Sequence, residues 1–559
     1  MLNECRLKTR PRLLIFSFSF LILHFTLPSY AASPTANAPT IAPGWDWSLP
    51  EGLKPVPYSG FVTWGAKIAD PSITVNGVHI SWKSLNPAPG QYDWKPLLDA
   101  IEKNRAAGIR TGIHLMGVEH KLVPDWIIEK YKPPVVDVPV LQENQPWRLK
   151  TVPPWIPEVD RAFHDFLAAF GKTGIPQREE VVYGYIHGIS PSRGEELSLR
   201  PQDVAIYEKV SGLTPQVFGD WLRRRTDAML LAFKGVEYKL AWMSGNAVGP
   251  TQAYKDANKD LWKYALDHGT GIRGGGIDFQ HGLFNAPAWG CGISADGYAL
   301  VDDENPTIAQ HRFRGDENEE YGKGWEWRFG PVEGHPYRSR ICWLRCLQVR
   351  QNFQMVSKAT LEQNPDMNQF VLLSQGRTRD NSPDAWAYLR ECKLGKNKPQ
   401  PVKNIERWLV QREVEGSRSV AAEKVERFKL SQDPQGVNYD FDARRTDRGT
   451  GQDGLAFQFD KVFWPKPAPA IVKVTYTDRA AAHWRLVTSN SAGKTIQSDP
   501  VANTGDNQLK TATFQVAGLS ATGAFPGKMD FRLVTEGPGD LTCSMVRVIK
   551  ADWKNPDNK

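Results

Sequence analysis

Carboxylates are concentrated in the stretch "RGDENEE", which contains Asp316, Glu317, Glu319 and Glu320. A further acid, Glu195, directly follows a glycine in "SPSRGEEL". Carboxyl groups can donate a proton, accept a proton or attack an electrophilic carbon, depending on their surroundings. Elements that bring these two stretches to one place would create a site with two carboxyl groups.

Short apolar or β-branched runs alternate with amphipathic stretches across residues 45–398, which is the pattern of βα units in a parallel sheet. We predict eight strands, at residues 59–64, 77–82, 110–116, 181–189, 239–246, 275–285, 310–319 and 369–377. No helical pattern separates the first two. Eight βα units with loop insertions match a TIM barrel in number and length. The predicted fold class is α/β, with a (β/α)8 barrel over residues 45–398.

The pattern changes near residue 400, where "GKNKPQPVKN" forms a polar linker that contains prolines. Alternating runs such as "AIVKVTYTD" and "TATFQVAGL" then follow, separated by clusters of Gly, Asn, Asp and Pro. This alternation without long helical patterns predicts an antiparallel, jelly-roll-like β-sandwich over residues 399–559.

The active site of a TIM barrel lies at the carboxyl ends of its strands. Acids, histidines, amides and tryptophans occur at these predicted ends, a composition suited to sugars, because apolar sugar faces stack on aromatic rings and hydroxyls need polar partners. The candidate catalytic residues are Glu195 and Glu317. The candidate substrate-binding residues are Trp64, His114, His187, Trp242, Asn246, His281, Glu319 and Arg377.

Hydrolysis of a glycosidic bond with retention needs two carboxyl groups about 5–5.5 Å apart, one an acid/base and one a nucleophile. Glu195 after the fourth strand and Glu317 at the seventh would meet this need in a closed barrel. Alternation places Glu317 and Glu319 on one side of the strand and Asp316 on the other, so Glu319 is the alternative nucleophile. The run lacks the repeated Asp/Asn/Gly ligands of a calcium loop, and no metal site is predicted.

A resemblance to known enzymes lies in "GVHISWKSLNPAPGQYDWKPLLDAIEKNRAAGIRTGIHL", where Pro87 to Trp94 forms the pattern Pro-x-x-Gly-x-Tyr-Asp-Trp. This segment resembles glycoside hydrolase clan A barrels, such as the β-galactosidase-like enzymes, and the resemblance covers about residues 45–395. It implies that the acid/base glutamate follows the fourth strand and the nucleophile the seventh, which correspond to Glu195 and Glu317. The clan has Asn-Glu at the fourth strand, whereas this chain has Gly194-Glu195.

The stretches "YDFDARRTDRGTG" and "VKVTYTD" resemble β-sandwich modules attached to secreted bacterial polysaccharide-processing proteins. Together, the two resemblances favour a glycoside hydrolase acting on a polysaccharide or oligosaccharide. Two alternatives remain open. One is a barrel that binds glycans without cleaving them, and the other is a surface scaffold for proteins.

The first 32 residues combine basic residues, the apolar run "LLIFSFSFLILHFTL" and the small-residue exit "PSYAAS", which predicts a cleaved signal peptide and a secreted or periplasmic protein. An uncleaved anchor is the alternative reading. A Pro/Ala-rich spacer follows at residues 33–44. The formal net charge of +7, part of it in the leader, does not indicate nucleic-acid binding. No cofactor and no membrane span in the mature chain are expected, and the oligomeric state is undetermined.

Overall fold

The structure is a computed structural model that describes residues 38–64, 70–142, 145–186, 199, 201–243, 250–274, 286–392, 401–426, 439–479 and 481–554. Up to residue 360, the strands are β1 (Thr40–Pro43), β2 (Gly60–Trp64), β3 (Ile73–Ser81), β4 (Arg110–Met116), β5 (Val136–Gln142), β6 (Gln145–Thr151), β7 (Val181–Tyr185), β8 (Leu240–Met243), β9 (Gly271–Arg273), β10 (Cys291–Ile293), β11 (Ala299–Val301), β12 (Arg314–Asn318) and β13 (Phe353–Val356).

The α-helices are α1 (Trp82–Leu85), α2 (Lys95–Ala106), α3 (Asp125–Tyr131), α4 (Pro157–Lys172), α5 (Val204–Ser211), α6 (Pro215–Ala232), α7 (Gln252–Asn258), α8 (Leu261–Asp267), α9 (Pro306–Ala309), α10 (Glu326–Phe329), α11 (His335–Gln348), α12 (Lys358–Gln363) and α13 (Pro365–Ser374). Helix α4 shows why they form. Pro157 and acidic residues occupy its first turn, and Lys172 its last, in agreement with the helix dipole. Its buried Phe163, Phe166 and Phe170 recur every three or four residues and face the core.

Eight parallel strands close into a barrel in the order β12, β13, β2, β3, β4, β7, β8, β9, and β9 pairs with β12. The predicted barrel is confirmed. The connection between β2 and β3 is only residues 65–72, shorter than the dozen or more residues usual for a crossover. The sequence pattern also predicts no helix between these two strands.

Two predicted barrel strands differ from the structure. The sixth strand is Gly271–Arg273 and ends before the predicted 275–285, which lies outside the described residues. The eighth strand is Phe353–Val356, and the prediction of a strand at 369–377 is wrong, because helix α13 occupies most of that range. A four-residue buried strand and a short apolar helix cannot be separated by periodicity alone.

The C-terminal strands are β14 (Asp384–Cys392), β15 (Val402–Arg407), β16 (Leu409–Arg412), β17 (Val420–Glu426), β18 (Tyr439–Arg445), β19 (Gly454–Phe459), β20 (Ala468–Thr477), β21 (His483–Ser489), β22 (Thr495–Gln497), β23 (Val501–Ala502), β24 (Leu509–Leu519), β25 (Phe531–Glu536) and β26 (Thr542–Lys550). Together with β1 they form an eight-stranded and a six-stranded antiparallel sheet around a common apolar core. The predicted β-sandwich is confirmed.

The boundaries of the sandwich differ from the predicted residue 399. Strand β14 belongs to the larger sheet, and β1, predicted as part of a spacer, pairs with β24 at its edge. Barrel and sandwich also share one apolar cluster, in which Phe61 of β2 and Trp343 of α11 are packed with Trp386 of β14 and Met545 of β26. The sandwich is therefore a structural continuation of the barrel, and residues 38–559 form one compact unit.

Candidate active site

Side chains that face the inside of the barrel follow the alternation of its strands. On β3, Val75 and Gly77 face the lumen, and His79 continues this series at the carboxyl end. His79 is exposed although it lies within a strand, so this end of the lumen is open to solvent.

Aromatic and imidazole rings form a connected group at this open end. Trp64 stacks on His79 with ring centroids 5.1 Å apart, and His114 meets Trp64 edge-on at 4.4 Å. The His114 ring lies 3.7 Å from that of Tyr185, and its Nε2 lies 3.2 Å from the Tyr183 hydroxyl oxygen. The structure thus brings the predicted residues Trp64 and His114 together.

Two glycines on the neighbouring strands make room for these rings. A Cβ atom at Gly77 would lie 2.3 Å from Cε3 of Trp64, and one at Gly112 would lie 2.0 Å from Cζ of Tyr183. Atoms cannot approach so closely, so any larger residue would displace the rings. The absence of a side chain at these positions is part of how the site is built.

Glu317 reaches the same lumen from β12 and forms an ion pair with Arg273 at the end of β9. The Arg273 side chain is 1% exposed and that of Glu317 is 15% exposed, so the carboxylate is the solvent-facing member of the pair. The Nε–H group of Arg273 donates to the Tyr185 hydroxyl at 2.5 Å, and the guanidinium lies over the Tyr185 ring at 4.4 Å. A continuous series of contacts therefore joins Glu317 to the ring group.

The acidic stretch does not act as one cluster, because the strand separates its members. A Cβ atom at Gly274, the residue after the lumen-facing Arg273, would lie 2.3 Å from Oδ2 of Asp316. The Asp316 side chain therefore faces away from the lumen. Asn318 also faces outward, where its Oδ1 accepts a hydrogen bond from Tyr321. Burial raises the pKa of Tyr321 well above its ordinary value, which keeps this donor protonated. The alternation predicted for Glu317 and Asp316 is confirmed.

Glu319 and Glu320 follow the end of β12 and are partly buried. The Glu319 carbonyl accepts a hydrogen bond from the Ser357 hydroxyl at 2.9 Å, and the Glu320 carbonyl accepts one from Nη1 of Arg338 at 2.6 Å. These bonds fix the backbone of the turn beyond the strand. Glu319 therefore lies just beyond the end of the strand that carries Glu317.

Two predicted substrate contacts lie elsewhere. Trp242 is fully buried in the core shared with the surrounding helices, because its neighbours Ala241 and Met243 take the inward positions of β8. Arg377 follows helix α13 and donates to the carbonyls of Leu373, Asn381 and Lys54. The adjacent Gly376 contacts Asn352 and Ser59, which precede barrel strands, so Arg377 lies at the amino-terminal end of the barrel. Neither residue can contact a substrate at the open end.

Glu195, His187, Asn246 and His281 lie outside the described residues, and their roles remain predictions.

Sequence reasoning missed His79, Tyr185 and Arg273. His79 could have been found from alternation, since it follows the inward-facing Val75 and Gly77 at steps of two. Arg273 stands in the glycine-rich stretch "GTGIRGGG", which has no periodic signal. Its role arises only because barrel closure places β9 beside β12.

Within the described part of the chain, no three His, Cys, Asp or Glu side chains are grouped so as to hold a metal ion. In the same residues, no helix combines the length and the apolar character that crossing a membrane requires. The five cysteines from Cys291 onward, all within the described residues, are buried and form no disulfide. Cys342 and Cys346 pack within α11.

No family model matches the sequence, and no curated protein matches it. Among solved structures, the catalytic domain of a β-amylase from Paenibacillus polymyxa aligns with a TM-score of 0.35 at 10% identity, over 56% of this chain and 97% of that domain. The exo-β-1,4-mannosidase Op5Man5 from Opitutaceae bacterium strain TAV5 aligns with a TM-score of 0.28 at 13% identity, over 54% of this chain and 49% of the mannosidase.

A β-galactosidase from the Antarctic haloarchaeon Halorubrum lacusprofundi aligns with a TM-score of 0.30 at 9% identity, over 53% of this chain and 52% of the galactosidase. The chain thus spans about half the length of the mannosidase and the galactosidase. At TM-scores and identities this low, the likenesses carry no argument about activity.

Proposed function

We propose that this protein is a retaining glycoside hydrolase that cleaves a polysaccharide or oligosaccharide. The observation that carries the proposal is the Glu317 carboxylate, which faces the open end of the barrel beside Arg273 and a group of aromatic and imidazole rings. A buried guanidinium stabilises the ionised form of a carboxyl group, and a nucleophile must be ionised. The surrounding rings supply the stacking surfaces and polar atoms that sugars require.

In this proposal, Glu317 attacks the anomeric carbon while Glu195 donates a proton to the departing glycosidic oxygen. The bond from the anomeric carbon to that oxygen breaks, and a glycosyl ester on Glu317 forms. Water then attacks the same carbon, Glu195 accepts its proton, and the ester electrons return to Glu317. Both steps invert the anomeric centre, so the product retains the original configuration.

The resemblance of residues 45–395 to clan A glycoside hydrolases supports the same assignment of Glu195 and Glu317. Trp64, His79 and His114 are proposed to bind the sugar, with His187, Asn246 and His281 as further contacts. Glu319 is the alternative nucleophile. The proposed chemistry uses the two carboxyl groups and water, without a cofactor.

A second candidate is a barrel that binds glycans without hydrolysis. The observation that favours it is Gly194 before Glu195, where clan A has an asparagine. Such a protein would bind an oligosaccharide and release no reducing ends. Measuring binding and product release on the same glycans separates the two functions.

The test uses Glu317→Gln, Glu195→Gln and, for the alternative nucleophile, Glu319→Gln, each assayed for reducing sugar and aryl-glycoside cleavage on a glycan panel. We expect the first two variants to lose nearly all activity and Glu319→Gln to keep most of it. Full activity in Glu317→Gln would overturn the assignment, and loss in Glu319→Gln alone would transfer the nucleophile to that residue.

We further propose that residues 1–32 are a cleaved signal peptide and that the mature protein is secreted or periplasmic. The support is the basic, apolar and small-residue order of this segment. Amino-terminal sequencing of the exported protein tests it, since a start near residue 33 is expected.

A further inference from the structure

We infer that Arg273 is the positioning residue of the proposed nucleophile Glu317 and that Tyr185 orients Arg273. The inference rests on the proposed function and assigns a role that the sequence did not suggest. Arg273 is held through three of its nitrogens. Nη2 binds Glu317, Nε binds the Tyr185 hydroxyl, and Nη1 lies 3.6 Å from the Met243 sulfur.

The geometry distinguishes this arrangement from an ordinary surface ion pair. An exposed Lys or Arg pair with a carboxylate contributes little, because water and salt screen it. Arg273 is 1% exposed and lies 4.4 Å over the Tyr185 ring, so its orientation is fixed before substrate arrives. A guanidinium held in this way fixes the carboxylate oxygen that it binds.

The charge of Arg273 has opposite effects on the two proposed steps. It stabilises the ionised carboxylate before attack, and this charge disappears when Glu317 becomes a glycosyl ester. During the second step the carboxylate charge returns, and Arg273 stabilises it as the leaving group. Loss of the positive charge should therefore slow ester hydrolysis more than ester formation.

Several groups surround Glu317 in the described residues. Facing the lumen from the neighbouring and opposite strands are Arg273 on β9, Met355 on β13, Tyr183 and Tyr185 on β7, His114 on β4 and His79 on β3. Asp316 lies on the other face of the same strand, and Glu319 lies beyond its end. Arg273 is ion-paired with Glu317, and its guanidinium keeps its charge over the whole pH range of the assay.

The test compares the pH dependence of kcat/KM for wild type, Arg273→Met, Arg273→Lys and Tyr185→Phe on a substrate cleaved by wild type. The acid limb of kcat/KM reports the essential base of the free enzyme. An adjacent arginine lowers the pKa of a carboxyl group by about 1–3 units, so we expect Arg273→Met to move this limb upward by about 1–3 pH units. Arg273→Lys keeps the charge and should keep the limb while lowering kcat, because the planar fork is lost.

Tyr183→Phe is the matched control for Tyr185→Phe. Both variants remove one phenolic hydroxyl from β7, but the Tyr183 hydroxyl lies beside His114, whereas the Tyr185 hydroxyl accepts from Arg273. We expect Tyr185→Phe to lower kcat by severalfold, and Tyr183→Phe to leave the acid limb in place. Pre-steady-state bursts should grow in Arg273→Met as the second step becomes limiting.

The outcomes separate the inference from the proposed function. If Glu317→Gln is fully active, the proposed function fails and the inference fails with it. If Glu317→Gln is inactive while Arg273→Met keeps the wild-type acid limb and shows no larger burst, the inference alone is overturned. If Arg273→Met does not fold, the two other variants test the inference. A large upward shift of the acid limb of kcat/KM in Arg273→Lys would overturn the inference, and so would an unchanged kcat in Tyr185→Phe.

Discussion

Replacement of Trp386 by alanine tests whether barrel and sandwich fold as one unit. Trp386 is completely buried on β14, in the cluster that also contains Phe61 of the barrel and Trp343 of α11. Replacing a buried Trp by Ala costs about 3–5 kcal/mol, since apolar contact is lost and a cavity remains. The cavity would lie between the two domains, so both should be destabilised by this amount.

Hydrogen exchange followed by mass spectrometry measures this effect separately in each domain. Peptides covering β4 report on the barrel, and peptides covering β20 report on the sandwich. At 1.36 kcal/mol per factor of ten, their protection should fall together by roughly one hundred to several thousandfold in amides that exchange through global unfolding. Trp386→Phe, which keeps most of the volume, is the control and should lose much less protection.

The reasoning would be refuted if protection fell only in the β20 peptides while β4 remained as in wild type. The same conclusion would follow from two well-separated urea transitions, one for each domain. Either result would make the sandwich an independent module, against the shared apolar cluster.

Three further predictions concern binding, acid stability and the thiols. His79→Ala should raise KM by about two- to tenfold through loss of a sugar hydrogen bond, with an unchanged melting temperature; an unchanged KM would remove His79 from the binding site. Burial by itself would raise the pKa of Asp46, but hydrogen bonds from Lys473 and Ser48 lower this pKa on balance. The ionised Asp46 carboxylate therefore stabilises the fold, and this stability is lost as the pH falls below about 4. Melting curves from pH 6 to pH 3 should therefore decline less steeply in Asp46→Asn, and an identical decline would contradict this. Because the five cysteines of the mature protein are buried, a thiol reagent should label none of them in the native state. In denaturant it should label all five, which are Cys291, Cys342, Cys346, Cys392 and Cys543. A sixth labelled thiol would mean that the leader, which contains Cys5, has not been removed.

The sequence predicted those barrel strands whose alternation and flanking helices are distinct. The run "RTGIHLM" matches strand β4 at both ends, and "SGFVTW" matches β2 to within one residue. The eighth strand was missed because "FQMV" is short, fully buried and continuous with the apolar pattern of α11. The run "QFVLLSQ" predicts a strand because it is apolar and short, although its buried residues lie on helix α13.

Site prediction depended on whether a strand has one buried face or two. Alternation separates Glu317 from Asp316 on β12, because one side faces an open lumen. On β8 all four residues are buried, so nothing in "LAWM" reveals that Trp242 faces outward. Arg377 was misplaced together with the eighth strand, and Arg273 depends on a pairing between strands distant in sequence.

The most direct test of the central claim is to trap the proposed glycosyl ester. The protein would be incubated with an activated 2-deoxy-2-fluoro glycoside of a sugar that it cleaves, and the labelled peptide would be identified by mass spectrometry. We predict one adduct per chain on Glu317, together with retention of configuration in the normal product. An adduct on another residue, or an inverted product without an adduct, would contradict the account.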